Sequence, residues 1–277
     1  MDALVTAYLH RLGVPDPGAP SAEALRRLHI AHVERIPYET IGIALGRPVG
    51  IAPEQSVARI VAGWGGYCYH LNGAFSWLLG QLGYAVQRHL GGVQTPGRKA
   101  PGPNGNHLAL TVALDGQSWL VDVGLGLGLH EPLPLRPGEH TQGPFTVELS
   151  RSSLTEGWRL EQDRRIDVFY GMDFADSPAT MADFQAKHIQ LSTDPRSGFV
   201  AWVSVQRRTA DAAWALKNLV LTRYDGEQAA ARDLDSPGAL WETLDRFHFT
   251  PPDLTDVERD ALWDRLWAAH REWRGST

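Results

Sequence analysis

Residues 107–123, HLALTVALDGQSWLVDV, decide the fold class. Large apolar side chains recur at every second position on both sides of Asp115-Gly116, which is typical of strands. Asp-Gly favours a two-residue turn between antiparallel strands, and a turn at this point pairs Val112 with Trp119. The stretch therefore predicts a β-hairpin and, with it, an antiparallel sheet.

The two faces of this hairpin differ in character. One face carries the large apolar side chains of Leu108, Leu110, Val112, Trp119, Val121 and Val123. The other face carries His107, Ala109, Leu120 and Asp122. His107 and Asp122 are diagonal neighbours, about 7–8 Å apart between backbones and within side-chain reach. An aspartate that binds one ring nitrogen leaves the other nitrogen free to take a proton, which is the logic of a catalytic triad. The alternative is a polar pair on a solvated sheet face.

Upstream of the hairpin the apolar period is that of helices. Ser21 can cap a helix that runs to about Arg35, a second helix begins near Pro53, and a third runs from about Tyr67 to Gly83. Besides the hairpin, strand-like stretches occupy residues 84–93, 145–150, 158–161, 199–206 and 216–224. Thr255 and Glu258 can form a capping box that starts a C-terminal helix. Helices followed by antiparallel strands and then mixed elements indicate the α+β class.

Composition excludes several function classes. The 277 residues include 26 Lys and Arg against 32 Asp and Glu, a net charge of −6, so binding to nucleic acid is not expected. No apolar run is long enough for a membrane span, and the opening residues lack a signal-peptide pattern. We therefore expect a cytoplasmic protein with no nucleic-acid or membrane partner. The single cysteine excludes an internal disulfide and a multi-cysteine metal site.

That cysteine, Cys68, is either an inert core thiol or a nucleophile. It follows Gly65-Gly66 and lies in the first turn of the third predicted helix. Unpaired amides and the helix dipole at this place favour a thiolate and lower its pKa. The amides near Cys68 and in residues 124–128 could also stabilise an oxyanion.

Several motifs resemble the arylamine N-acetyltransferase family. They are GWGGYCYHLNGAFSWLLGQLGY at 63–84 and HLALTVALDGQSWLVDVGLG at 107–126, with further likeness in RIPYETIGIALGRPV, EPLPLRPGE and DFQAKHIQLSTDP. The resemblance implies that Cys68, His107 and Asp122 form a Cys-His-Asp triad. It implies a ping-pong transfer of an acyl group from acetyl-CoA, or another acyl thioester, to a small-molecule amine, without a metal. It also implies a helical bundle at 1–83 with the cysteine, a β-barrel at 84–192 with His and Asp, and an α/β lid at 193–277.

The chain departs from the family pattern around the cysteine. Trp64 stands where the family has an arginine before Gly-Gly, and His70 replaces a usual Glu or Gln. Because the family's arginine ties the helix start to an acidic segment, Glu39 is expected to lack its usual partner. By the same resemblance, the substrate-binding residues are Tyr38, Leu125, where many relatives carry an aromatic residue, and Gly126.

Two alternatives stay open. The first is the family's amide-synthase branch, which releases a chain from an acyl carrier protein onto an amine; the altered set around the helix start favours it somewhat. The second is a catalytically idle relative that binds a ligand or partner. We expect no catalytic role for three other histidines. His29 and His32 are predicted to be core residues rather than metal ligands, and His70 is predicted to point away from the triad.

Overall fold

The computed structural model describes residues 2–249 and 251–275 of the chain. Its N-terminal part is helical, with α1 (Ala3–Leu12), α2 (Ala22–Arg35), α3 (Ile41–Ala44), α4 (Pro53–Val61) and α5 (Cys68–Gln81). Ser21 caps α2 by accepting from Ala24 N at 3.1 Å, as its sequence predicts. A two-residue strand, β1 (Tyr38–Glu39), lies between α2 and α3.

The central sheet is antiparallel and curls into a barrel. It contains β2 (Ala85–Gln94), β3 (His107–Leu114), β4 (Gln117–Val121), β5 (Leu133–Pro134), β6 (Gly138–Gln142), β7 (Phe145–Arg151), β8 (Gly157–Glu161) and β9 (Gly171–Ala175). Their order is β5-β4-β3-β2-β9-β8-β7-β6. The predicted register of the hairpin is confirmed, since Val112 pairs with Trp119 and Leu110 with Val121.

Both faces of the hairpin are buried. Leu108, Leu110 and Val112 join a core shared with α1, α2, α4 and α5, in which Cys68 also lies. The opposite face places Ala109 and Leu120 in the barrel's own core. The alternative of a solvated polar face is therefore wrong, because the curled sheet folds back over that face.

The C-terminal part is a second antiparallel sheet flanked by helices. After a 3₁₀ turn at Met181–Phe184 come α6 (Gln185–Thr193), α7 (Gly198–Ala201), β10 (Ser204–Arg208), β11 (Ala213–Lys217), β12 (Val220–Tyr224), β13 (Ala230–Asp233), α8 (Pro237–Arg246) and α9 (Asp256–Gly275). β1 completes this sheet at the edge of β10. The architecture is the expected α+β combination of helical bundle, antiparallel barrel and α/β lid, whereas the division at residues 83 and 192 stays a prediction.

Two predicted strands of this part are wrong in their bounds. Residues 199–206 begin as helix α7 and become a strand only at Ser204, because Ser197 caps a helical turn by accepting from Phe199 N. Residues 216–224 form two strands, since Asn218 adopts φ 48° and turns the chain. Among the described residues, no helix combines the length and apolar character needed to cross a membrane.

Candidate functional site

Cys68 is the first residue of α5 and is 3% exposed. The preceding turn depends on glycine, because a Cβ on Gly65 would lie 2.2 Å from the carbonyl oxygen of Pro37. Tyr67 occupies the N-cap position without a side-chain capping bond, so no cap side chain engages the amides of Cys68 and Tyr69, whereas the His70 amide donates to the Tyr67 carbonyl at 2.9 Å. The thiol Sγ lies 3.8 Å from the carbonyl oxygen of Asn106, the residue before β3.

His107 and Asp122 meet beside this sulfur. His107 Nε2 lies 2.7 Å from Asp122 Oδ2, and both residues are almost completely buried. Burial alone would lower the pKa of His107, but the charge and hydrogen bond of Asp122, together with Cys68, raise it to about 10. Since Nε2 is engaged by the carboxylate, Nδ1 is the nitrogen left to take a proton from the thiol.

Asn72 holds the aspartate, a contact that the sequence interpretation missed. Its Nδ2 donates to Asp122 Oδ1 at 2.8 Å and to the Leu108 carbonyl at 2.6 Å, while its Oδ1 accepts from Val123 N at 2.9 Å. Asn72 follows Cys68 by four residues on α5, and this spacing puts both on one helix face. The spacing of four residues is the feature of the sequence that could have predicted this role. The contacts of Asn72 join α5 to the hairpin.

Gly124 allows the loop after Asp122 to approach the helix. A Cβ on it would lie 2.8 Å from the Cα of Cys68 and 2.8 Å from Asn72 Nδ2. Its amide donates to Asp122 Oδ1 at 2.9 Å, and the Leu127 amide donates to the Leu125 carbonyl at 2.7 Å. These two amides are therefore occupied, which removes them from the candidate oxyanion donors.

Glu39 lacks an arginine at position 64, as expected, but another arginine pairs with it. Arg59 of α4 donates from Nη2 to Glu39 Oε1 at 2.6 Å and from Nε to the Gly65 carbonyl at 2.9 Å. Its guanidinium lies over the ring of Trp64, 4.5 Å from the centroid. Trp64 in turn donates from Nε1 to Asp253 Oδ1 at 3.0 Å. The positive charge that joins the Gly-Gly turn to Glu39 thus comes from Arg59 in α4 and not from residue 64.

His70 points away from the triad, as expected. Its Nε2 lies 3.2 Å from the Val49 carbonyl, and its ring packs edge-on against Tyr67 at 4.7 Å. Burial, followed by the charge of Arg59, lowers the pKa of His70 to about 3, so the ring is neutral. Tyr67 also hydrogen-bonds His188 of α6, which links the residue before the cysteine to that helix.

The expected substrate-binding residues are brought together only in part. Tyr38 pairs with Gln206 across β1 and β10, and Gln206 Oε1 lies 2.0 Å from where a Cβ on Gly126 would stand. Tyr38 and Gly126 therefore both adjoin Gln206, a residue that the sequence interpretation missed. Burial, and then the nearby Cys68, raise the pKa of Tyr38, so its phenol stays protonated. Leu125 packs instead within the barrel core.

His29 and His32 are buried core residues of α2. His32 Nε2 lies 2.8 Å from the hydroxyl of Tyr8, whereas His29 Nδ1 lies 3.0 Å from the carbonyl oxygen of His130. In the part of the chain that the structure describes, no group of three or more His, Cys, Asp or Glu side chains could hold a metal ion.

Comparison with known proteins adds three findings. A family model described as N-acetyltransferase matches residues 21–248. The arylamine N-acetyltransferase of Mycobacterium tuberculosis is 30% identical over 95% of this chain and 94% of its own length. Proansamycin X synthase of Amycolatopsis mediterranei is 38% identical over 50% of this chain and 55% of its own length.

Solved structures agree with this similarity. The arylamine N-acetyltransferase of Mycobacterium marinum in complex with CoA superimposes with a TM-score of 0.84 at 29% identity, covering 95% of this chain and 98% of that one. The Nocardia farcinica arylamine N-acetyltransferase superimposes with a TM-score of 0.83 at 32% identity, covering 94% and 93%.

Proposed function

Since the chain belongs to the arylamine N-acetyltransferase family, we propose that it transfers an acetyl group from acetyl-CoA to a small aryl amine through Cys68. The observation that carries this proposal is the placement of Cys68 beside the His107–Asp122 pair, whose Nε2–Oδ2 distance is 2.7 Å. A thiol nucleophile needs a base and a group that orients the base, and these three side chains supply both.

The first half-reaction acylates the enzyme. At rest His107 already holds the thiol proton at Nδ1, in keeping with its raised pKa, and Asp122 stabilises this imidazolium. The thiolate attacks the thioester carbonyl, its Sγ–C bond forms, the C–S bond to CoA breaks, and CoA leaves with the proton from His107. The backbone amides of Cys68 and Tyr69 at the start of α5 are the oxyanion donors that we propose. Exchange between two thioesters is nearly balanced, so neither product traps the reaction.

The second half-reaction transfers the acyl group. The amine nitrogen attacks the carbonyl of acyl-Cys68, its proton passes to His107, and the C–Sγ bond breaks to return the thiolate. Because Cys68 is 3% exposed, water has little access to the acyl-enzyme, which favours the amine over hydrolysis. Tyr38, Gly126 and Gln206 are the residues that we propose contact the amine.

An amide synthase is the second proposal. The match to proansamycin X synthase over half of this chain supports it, as do Trp64 before the helix that carries Cys68 and His70 within that helix. In this reaction the acyl group comes from an acyl carrier protein, and the amine attacks acyl-Cys68 as before. We further propose a cytoplasmic location, because a single cysteine without a disulfide is typical of proteins in a reducing compartment.

Intact-mass spectrometry after exposure to several acyl thioesters tests these proposals. We expect wild-type protein, but not Cys68→Ala, to gain one acetyl group from acetyl-CoA and to lose it when an aryl amine is added. Preference for a carrier-tethered acyl group over acetyl-CoA would instead support the amide synthase. No adduct from any thioester, with Cys68 alkylated at the pH of a free thiol, would support the idle relative.

A further inference from the structure

The backbone of Asp122 lies outside the sheet. Strand β4 ends at Val121, and ladder pairing with β3 stops at the Leu110–Val121 pair. Asp122 is 1% exposed, so water cannot satisfy its amide. An unpaired buried backbone N–H costs about as much as a lost hydrogen bond. The residue that orients the catalytic base therefore requires another partner for its main chain.

His29 supplies that partner from α2. Its ring is completely buried, and its Nε2 lies 3.3 Å from the Asp122 amide nitrogen and 3.2 Å from the Asp122 carbonyl oxygen. Its Nδ1 lies 3.0 Å from the His130 carbonyl oxygen. Carbonyl oxygens can only accept, and one lies near each ring nitrogen, so the Asp122 amide decides where the single proton sits. A proton on Nε2 would leave that amide without an acceptor and turn the Nδ1 lone pair toward the His130 carbonyl. Nδ1 therefore carries the proton and donates to His130, the shorter of the two carbonyl contacts. Nε2 then carries a lone pair and accepts from the Asp122 amide. Only the neutral Nδ1–H tautomer makes both bonds.

These two bonds fasten both ends of residues 122–130. His130 is held further by its amide, which donates to Gln142 Oε1 at 2.8 Å, and by its ring, 2.8 Å from Glu34 Oε1. The segment between the two ends includes Leu125 and Gly126. The buried imidazole of His29 thus joins the two ends of the loop that begins with Asp122.

We propose that His29 is a positioning residue that, as a neutral imidazole, sets the backbone of Asp122 and thereby the aim of its carboxylate at His107. This inference rests on the proposed function of the triad. The titratable groups that face His29 are Asp122, His130, Glu131 and, on its own helix, His32. Burial dominates over these groups and lowers the pKa of His29 to about 4, which keeps the ring neutral at neutral pH.

His32 provides a matched control within the same helix. It lies three residues further along α2, is equally buried, and packs edge-on against the same Phe75 ring at 5.1 Å, compared with 6.2 Å for His29. Its hydrogen bond goes to the Tyr8 hydroxyl, away from the loop of Asp122. Loss of His32 therefore reports what a buried histidine of α2 contributes to stability alone.

Replacing His29 by asparagine or by glutamine tests its bonds to His130 and to Asp122 one at a time. In His29→Asn the amide can replace Nδ1 toward His130 but cannot reach Asp122, whereas in His29→Gln the side-chain oxygen can replace Nε2 as acceptor. We expect His29→Asn to lower kcat by about 10²-fold, since misplacement of a catalytic group by about 1 Å has that effect. We expect the pH midpoint of Cys68 alkylation to rise toward the free-thiol value of about 8.5. His29→Gln should recover most of kcat, and His32→Asn should lose stability with an unchanged midpoint.

Alkylation needs no acyl substrate, so it tests the positioning of the triad even where every thioester fails as donor. Equal loss of stability in His29→Asn and His32→Asn, with kcat and alkylation as in wild type, would overturn the proposal. Rescue by Asn but not by Gln would also overturn it, because the important contact would then be that with His130. Should the variants not fold, the ¹⁵N shifts of the wild-type ring decide: the Nδ1–H tautomer is expected, and the Nε2–H tautomer contradicts it.

Discussion

Two buried carboxylates flank the start of α5, and they are stabilised in different ways. Asp122 accepts from a histidine, an asparagine and a backbone amide, all from α5, the hairpin and the loop after it. Glu39 accepts from the guanidinium of Arg59 and from the amide of Ile41 at 2.7 Å. Burial obliges both carboxylates to find partners. Only Asp122 must also aim a base, and this demands particular side chains at particular atoms.

Glu39 tolerates a partner from another chain position because its role is electrostatic. A guanidinium can approach it from α4 just as well as from residue 64, which here is Trp64. A buried charge therefore requires compensation, whereas a catalytic carboxylate requires compensation with a fixed direction. Substitutions at the two carboxylates and their partners test this difference.

Replacing the oriented carboxylate should have the largest effect. Asp122→Asn is expected to lower kcat by about 10⁴-fold, because the imidazole of His107 loses the acceptor that fixes its tautomer. Single-turnover transfer from acetyl-Cys68 to an aryl amine measures this loss. Asp115→Asn is the matched control, since Asp115 lies in the hairpin turn at φ 51°, which Asn also adopts. Retention of more than a tenth of kcat in Asp122→Asn would contradict an orienting role.

Removing the charge partner of Glu39 should destabilise the fold. Arg59→Leu leaves a carboxylate with 0% side-chain exposure unpaired, and we expect a loss of about 3–5 kcal/mol in the free energy of unfolding. Adding Trp64→Arg should restore part of it by returning a guanidinium from residue 64. Arg47→Leu is the control, because the exposed Arg47 pairs contribute less than about 1 kcal/mol. Urea denaturation measures the free energy of unfolding of each variant. If Trp64→Arg restores no stability, Glu39 also requires its partner at one particular position, which would contradict a purely electrostatic role.

The two carboxylate pairs should also differ in their response to pH. Asp122 raises the pKa of His107 to about 10 from an ordinary 6.5, so the folded state binds that proton more tightly than the unfolded state. The resulting stability is fully present below pH about 6.5 and is lost as the pH rises through about 10. Subtracting the urea-denaturation profile of His107→Gln from that of wild type isolates this contribution.

The Arg59–Glu39 pair should show no such loss, since a guanidinium stays charged throughout this range. The destabilisation by Arg59→Leu is therefore expected to stay constant from neutral pH to pH about 10. A wild-type minus His107→Gln difference that is equally flat would contradict the raised pKa of His107.

The smallest effect is expected at Trp64. Trp64→Phe keeps an aromatic ring under Arg59 but removes the hydrogen bond from Nε1 to Asp253, a loss of about 0.5–1.5 kcal/mol. We expect unchanged kcat and a small shift of the urea midpoint. A threefold fall in kcat corresponds to less than 1 kcal/mol in activation free energy. A larger fall would contradict this expectation, because it would mean that Trp64 helps to position Cys68.

Local features of the site are predictable from the sequence. Asp115-Gly116 sets the hairpin register, so the neighbouring positions of His107 and Asp122 follow from counting residues. Gly65-Gly66 and the helical period after them locate the start of α5 at Cys68. In both cases a turn or a helix end depends on a few adjacent residues, whose conformational preferences act over short distances.

Contacts between distant segments were decided by the tertiary structure alone. Arg59 reaches Glu39 across 20 residues, His29 reaches Asp122 across 93, and Tyr38 pairs with Gln206 of β10 in the C-terminal sheet. No local periodicity encodes such pairs, because each depends on how several elements close around a shared core. The sequence by itself determined the turn, the register and the place of the thiol. Folding decided which distant side chains compensate the charges and amides that burial removes from water.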